Sequence, residues 1–405
     1  MKGPLRHRAF LIYQGVRLVS VVAIQMMSVA IAWQVYERTQ DAMALGMVGL
    51  AQFAPLFLLS PITGDVADRF DRRAVIAVCH GVIALCATLL AWTAAHPELG
   101  TAPIYVVLAL FGCARAFAGP AAQALLPALV PPAELAQGIA LGSITFQLAT
   151  IAGPALAGFV IAAGGAPSAF ATSAVLEVLA VSALLAMRYA PERQERRGSG
   201  LTRLLAGVRY VREHPVILGA ISLDLFAVLL GGAVALMPIY ARDILHVDER
   251  GFGFLRAAPA VGAGLVALVL AFRPLRRRAG LTMFACVGLF GVATIVFGVS
   301  RSFPLSLAAL AVLGGADMVS VVIRQTVVQI TTPPEMRGRV AAVNMVFIGA
   351  SNELGELESG VTAAWLGTVP AVVLGGVGTL LVTVIWAFLF PQLRDVDRPE
   401  EHDAR

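Results

Sequence analysis

Ten ionisable side chains lie inside long apolar runs: Arg17, Arg115, Glu177, Asp224, Arg256, Asp317, Arg324, Glu353, Glu356 and Glu358. If those runs sit in lipid, each charge costs at least about 2.5–3.5 kcal/mol at mid-span, so each needs a partner or a task. A carboxylate that holds a proton while facing one side and loses it while facing the other does what proton coupling requires. Asp224, Asp317, Glu353 and Glu356 are the candidates, Asp317 and Glu353 ahead of the others. A fixed charge pair bracing the structure is the alternative for each of them. Asp317 and Arg324 are seven residues apart on one helix face, but two turns of rise is about 10 Å, so each is better placed to meet another partner. Glu353 and Glu356 are three apart on one face, where two like charges repel and a single proton relieves the cost. Arg256, near the end of its run, can snorkel to the membrane surface, and Arg17 can either do so or take a task. Glu177 reads as a pairing or interface residue.

Other chemistries find no residues to carry them. Gly262-Ala263-Gly264-Leu265-Val266-Ala267 has dinucleotide-loop spacing, but it lies within an apolar run with no strand before it and reads as packing. There is no Walker A sequence, no His-Glu-x-x-His and no Gly-x-Ser-x-Gly, and the six histidines are unclustered. Cys79, Cys86, Cys113 and Cys286 all fall in apolar runs, as small packing residues do. No enzyme, cofactor or metal is expected.

The elements that must hold these charges are membrane helices. Of 405 residues 58% are hydrophobic and 14% charged, against about 25% charged in soluble proteins. Such a chain cannot cover its surface with polar groups. Apolar runs occur near 9–33, 43–63, 74–95, 103–130, 138–163, 167–188, 215–240, 252–272, 281–299, 304–331, 340–365 and 369–390, each long enough to span about 30 Å of hydrocarbon. With the N-terminus inside, 22 of the 30 basic residues fall in inner segments and four, Arg38, Arg242, Arg250 and Arg301, in outer loops. The bias puts both termini in the cytoplasm and accounts for the net charge of +5 without a nucleic-acid partner. The longest inner connection divides six runs from six. Within it Leu201, Leu204, Leu205, Val208 and Val211 keep helical spacing, with arginines between them, predicting an amphipathic helix at the inner surface. Pro131-Pro132-Ala133-Glu134 and Pro333-Pro334-Glu335 recur 202 residues apart in order and topology, which argues for two parallel repeats.

The inner loop between the second and third runs reads Gly64-Asp65-Val66-Ala67-Asp68-Arg69-Phe70-Asp71-Arg72-Arg73. It resembles the signature of the major facilitator superfamily through Gly64, Asp68, Arg69, Arg72 and Arg73, with Asp71 where that family usually has a second glycine. Arg115 and Gly119 resemble the Arg-x-x-Gln-Gly motif of its drug-exporting branches, with Ala118 in place of the glutamine. Gly153, Pro154 and Gly158 resemble the Gly-x-x-x-Gly-Pro-x-x-Gly-Gly antiporter motif. These residues bend the helix and allow close packing, and ordinary small-residue packing explains them equally. Together with Arg337-Gly338-Arg339-Val340, the chain looks most like the enterobactin-exporter-like subfamily.

The resemblance implies an all-α membrane protein of twelve transmembrane helices in two pseudo-symmetric six-helix bundles. The expected divisions are a bundle over 1–189, a cytoplasmic linker over 190–214, a bundle over 215–391 and a tail over 392–405. Spans one, four, seven and ten would line a central cavity, making Arg115, Asp224, Asp317 and Arg324 cavity charges. Asp68 would act as a conformational switch, its carboxylate read by the positive end of the eleventh helix. The implied function is export of a small siderophore-like or drug-like molecule across the inner membrane by proton antiport. The implied partners are that substrate, protons and membrane lipids, with the protein a monomer. An importer or lipid translocator on the same fold is the alternative, and a membrane-embedded enzyme or receptor a remote one.

Overall fold

The computed structural model describes residues 3–187, 200–273 and 278–396, and among them every regular element is helical. Residues 190–199 of the expected linker and 397–405 of the expected tail lie outside the described residues. Ten helices are long and apolar enough to cross a membrane. Large apolar side chains point outward along them, Leu58 74% exposed, Phe388 78% and Phe272 80%. This suits lipid, which satisfies apolar surface but offers no partner to backbone groups, so those groups are paired within helices.

The chain forms two compact units. The first holds Met1–Gln40, Ala51–Gly200 and Asp248–Ala257; the second holds Asp41–Leu50, Leu201–Val247 and Ala258–Arg405. In the first unit α1 (Arg8–Thr39) packs on α5 (Leu135–Ala186), and α3 (Arg72–Ala95) packs on α4 (Ala102–Leu125) and α5. Its core joins Phe10, Val16, Ile76, Leu125 and Leu184. The expected fifth and sixth spans are one element interrupted at Gly164 and Gly165, where Gly165 takes φ 72°, a conformation that glycine adopts without steric penalty. The start of α8 (Glu249–Phe272) joins this unit because Gly253 and Gly158 of α5 bring the two backbones together; a Cβ at Gly158 would stand 2.6 Å from the Glu249 carbonyl oxygen.

The second unit gathers α7 (Pro215–Leu230), α9 (Ala279–Val299), α10 (Phe303–Thr331), α11 (Pro334–Leu366) and α12 (Thr368–Leu389). Here α9 packs on α10 and α12, and α7 on α11 and α12, around Leu223, Met283, Phe284 and Ile323. The amphipathic helix α6 (Gly200–Glu213) buries Val211 and packs Val208 and Tyr210 against Ile217, Val340 and Val343 of this same unit. The side chains of Leu201, Arg203 and Leu204 lie outside the described ones. The first turns of α2 (Ala42–Arg69) cluster here as well, because Gly46 and Gly49 lie directly on Gly360 and Glu356 of α11.

Two sequence expectations need correction. The expected seventh span over 215–240 is one apolar helical run, Pro215–Ile244, but not one continuous α-helix. α7 stops at Leu230 before Gly231-Gly232, and a 3-10 turn and a π-helical turn over Tyr240–Ile244 follow. The segment from Gly64 to Arg69 is not a loop but the last turns of α2. At 28 residues that helix is roughly 42 Å long, longer than the hydrocarbon layer, so its hydrogen-bonded backbone continues past the point where the apolar pattern ends.

Candidate functional site

Three helices of the second unit bring the costly charges together. α7 is apolar throughout except for Ser222 and Asp224. Asp224 accepts from Arg324 of α10 at 3.1 Å (Nη2 to Oδ2), with the arginine side chain 2% exposed and the aspartate 8%. The other terminal nitrogen of Arg324 donates to Oδ1 of Asn344 on α11 at 2.9 Å, while its Nε has no protein partner. Asp317 lies two turns before Arg324 on α10 and lines the same small cavity as Asp224, together with Ala227, Val228, Val287, Phe290, Ala316 and Ser320. That cavity has room for about one water molecule.

The chemistry follows from counting charges. Two carboxylates line this cavity and the one guanidinium is paired with Asp224, so the cluster carries an unbalanced negative charge unless one proton is bound. The arrangement suits a site that gains and loses one proton. Arg324 meets Asp224 rather than its helix neighbour Asp317, as the two-turn spacing required. Asn344 gave no signal in the sequence, since an uncharged amide inside an apolar run resembles any other tolerated polar residue.

The remaining candidates are spread over other places. Glu353 and Glu356 lie on α11, where Gly49 of α2 leaves no room for a Cβ: one built there would fall 2.6 Å from the Glu353 carbonyl oxygen and 3.0 Å from Glu356 Oε2. Glu358 accepts from Thr362 at 2.9 Å. In the first unit Arg115 donates to Oε1 of the buried Gln52 at 3.1 Å and lies over the Phe111 ring at 5.5 Å. Arg17 lies over Phe146 at 5.9 Å. Arg256 donates to the Ser28 hydroxyl at 3.3 Å. Glu177 pairs with His80 at 2.8 Å.

The motif residues tie helix ends together within the first unit. Asp71 caps α3 by accepting from the Arg73 backbone N–H at 2.9 Å. Arg72 donates to the Ala124 carbonyl at 2.8 Å and Arg73 to the Met187 carbonyl at 2.5 Å. Arg69 is exposed and Gly64 has open space beside it. Asp68 lies on α2, but its side chain is outside the described ones. Gly153 packs on Gln25 and Val22 of α1 and Gly158 on α8, whereas Gly119 has nothing within 4 Å. Helical geometry runs through Pro154, and the backbone departs from it at Gly164 and Gly165.

A family model described as transmembrane secretion effector matches residues 2–404. A protein of Shigella boydii serotype 18 named enterobactin exporter EntS is 26% identical over 389 residues, covering 96% of this chain and 93% of its own length. A protein of the same name from Escherichia coli O1:K1 matches with the same identity and coverage. Among solved structures, a bacterial homologue of the human lysosomal transporter Spinster, in an inward-facing and occupied conformation, superposes with a TM-score of 0.76 at 14% identity, covering 97% of this chain and 98% of that one. The POT family transporter PepTSo superposes with a TM-score of 0.75 at 12% identity, covering 96% and 98%. At such identities the likeness to the solved structures is one of fold.

Proposed function

Because the chain belongs to the transmembrane secretion effector family, within the major facilitator superfamily, and is a multi-pass membrane transporter and not an enzyme, we propose that it exports a small amphipathic molecule by proton antiport with alternating access. The observation that carries the coupling is the buried Asp224–Arg324 pair with Asp317 on the same cavity. A proton on this cluster cancels its net charge, and release of that proton restores the charge. That difference is what a transporter needs to make one direction of its cycle depend on the proton gradient. The relatives named enterobactin exporters support a siderophore-like cargo, and export as the direction.

The membrane arrangement belongs to the same reading. Division of α5 at Gly164–Gly165 and inclusion of α11, whose Arg337, Arg339, Glu353, Glu356 and Glu358 lower its hydropathy, bring the ten apolar helices to twelve spans. The excess of arginine on alternate connections puts both termini in the cytoplasm of a cell whose inner membrane holds the protein. The protein functions as a monomer in contact with membrane lipids, its two bundles over 1–189 and 215–391 joined by the linker that contains α6. Asp68, with Gly64, Arg69, Arg72 and Arg73 around it, serves as a latch that engages the positive N-terminal end of α11 and releases in each cycle.

Inverted inner-membrane vesicles test the direction and the energy source together. Vesicles carrying the protein should accumulate a catecholate siderophore under an imposed proton gradient and lose it when a protonophore is added. Accumulation only in right-side-out vesicles would establish an importer and overturn the export reading.

A further inference from the structure

We propose that Ser20, His80 and Glu177 form a buried proton-binding site in the first unit, which holds one exchangeable proton on the His80–Glu177 edge. Three helices contribute one residue each: α1, α3 and the second half of α5. Ser20 Oγ, His80 Nδ1 and Glu177 Oε2 lie 2.8 Å apart on all three edges, and Glu177 Oε1 is also 2.8 Å from the serine. Glu177 is fully buried, and His80 and Ser20 are nearly so.

The proton arithmetic is constrained by these distances. The serine supplies one proton, which it donates to the carboxylate. The His80–Glu177 edge then needs its own proton, either on Nδ1 or on the carboxyl group. A neutral imidazole with the proton on Nδ1 satisfies the edge but leaves a full negative charge in a dry site. One more proton, giving an imidazolium–carboxylate pair, brings the net charge to zero. The geometry also excludes a nucleophile role for Ser20. An activating triad places serine and acid on opposite ring nitrogens, whereas here both meet Nδ1.

Among the described residues, no ion pair joins Glu177 to any group but His80. From Ala74 to Ala95 α3 carries only Cys79, His80 and Cys86 as titratable groups, and α5 carries only Glu177 along its whole length. On α1 the neighbours are Tyr13, which donates to the Ala122 carbonyl, and Arg17, which lies over Phe146. On α4 they are Cys113 and Arg115, the latter bonded to Gln52. The proton load is therefore felt mainly by the three residues that hold it. The site is separate from the Asp224–Arg324–Asp317 cluster, which belongs to the second unit.

Nitrogen NMR of the full-length protein, labelled with 15N-histidine and embedded in lipid nanodiscs, reads this site without any substrate. A His80→Gln sample assigns the signal among the six histidines. Both ring nitrogens of His80 should carry protons at the acid end of a range from about pH 5 to 9, and one proton should leave in a single step as pH rises. Ser20→Ala, which keeps both charged partners, should change the proton affinity of that step about tenfold, the effect of one hydrogen bond to a charged group. Glu177→Gln should leave the ring neutral throughout. A wild-type ring that is neutral at every pH, or a step that Ser20→Ala leaves in place, would overturn the proposal. The wild-type measurement decides even if the Glu177 variant does not fold.

Discussion

Arg324 is among the largest fully buried side chains of the described residues, and it holds Asp224 and Asn344 at once. Removing it leaves the buried Asp224 carboxylate without its cation, a loss of about 3–5 kcal/mol for a broken buried pair. Arg324→Met should therefore lower the unfolding temperature in detergent sharply, and adding Asp224→Asn should recover much of that loss. Strictly additive effects in the double variant would show that the pair does not act as a unit. The costly charges Asp224, Asp317 and Arg324 were legible from sequence alone, because an ionisable residue in an apolar run is rare. Which of them meet was not legible, since Asp224 and Arg324 come together only through helix packing. His80 escaped notice for a related reason: a lone histidine has no sequence partner, and Ser20 and Glu177 reach it from two other helices.

At the scale of elements, glycine decides where helices can touch. A Cβ at Gly262 would run into the Ala311 backbone of α10, and one at Gly158 would meet the backbone of α8 at Glu249. Gly262→Ala and Gly158→Ala should each destabilise the protein by about 1–3 kcal/mol, as overpacking does. Gly64→Ala and Gly119→Ala, which face open space, should unfold within a degree or two of wild type on the roughly 0.5 kcal/mol expected of a neutral site. The latch is tested separately. Asp68→Asn should fold and insert normally yet lose most transport, and wild-type transport by a normally expressed variant would remove Asp68 from that role. Helices were legible from their apolar runs, but their ends were not. α2 carries its hydrogen bonds past the lipid edge through Gly64–Arg69, and Gly231-Gly232 ends α7 inside an apolar run that gave no sign of stopping.

For the whole molecule, the bias of arginine between connections predicts that single cysteines placed at Arg38 and Arg301 react with an impermeant thiol reagent from outside intact spheroplasts, while one at Arg209 reacts only after lysis. Labelling from the opposite sides would reverse the orientation. Under the proposed antiport, each proton crossing 100 mV is worth about 2.3 kcal/mol, enough for roughly 50-fold accumulation when coupling is tight. The central measurement is the proton flux itself, followed with a trapped pH dye in proteoliposomes as substrate is added outside. Wild-type protein should move protons against the substrate, whereas Asp317→Asn should still exchange substrate down its gradient with no accompanying proton flux. An undiminished proton flux in Asp317→Asn, and in the double variant with Asp224→Asn, would contradict proton coupling at this cluster.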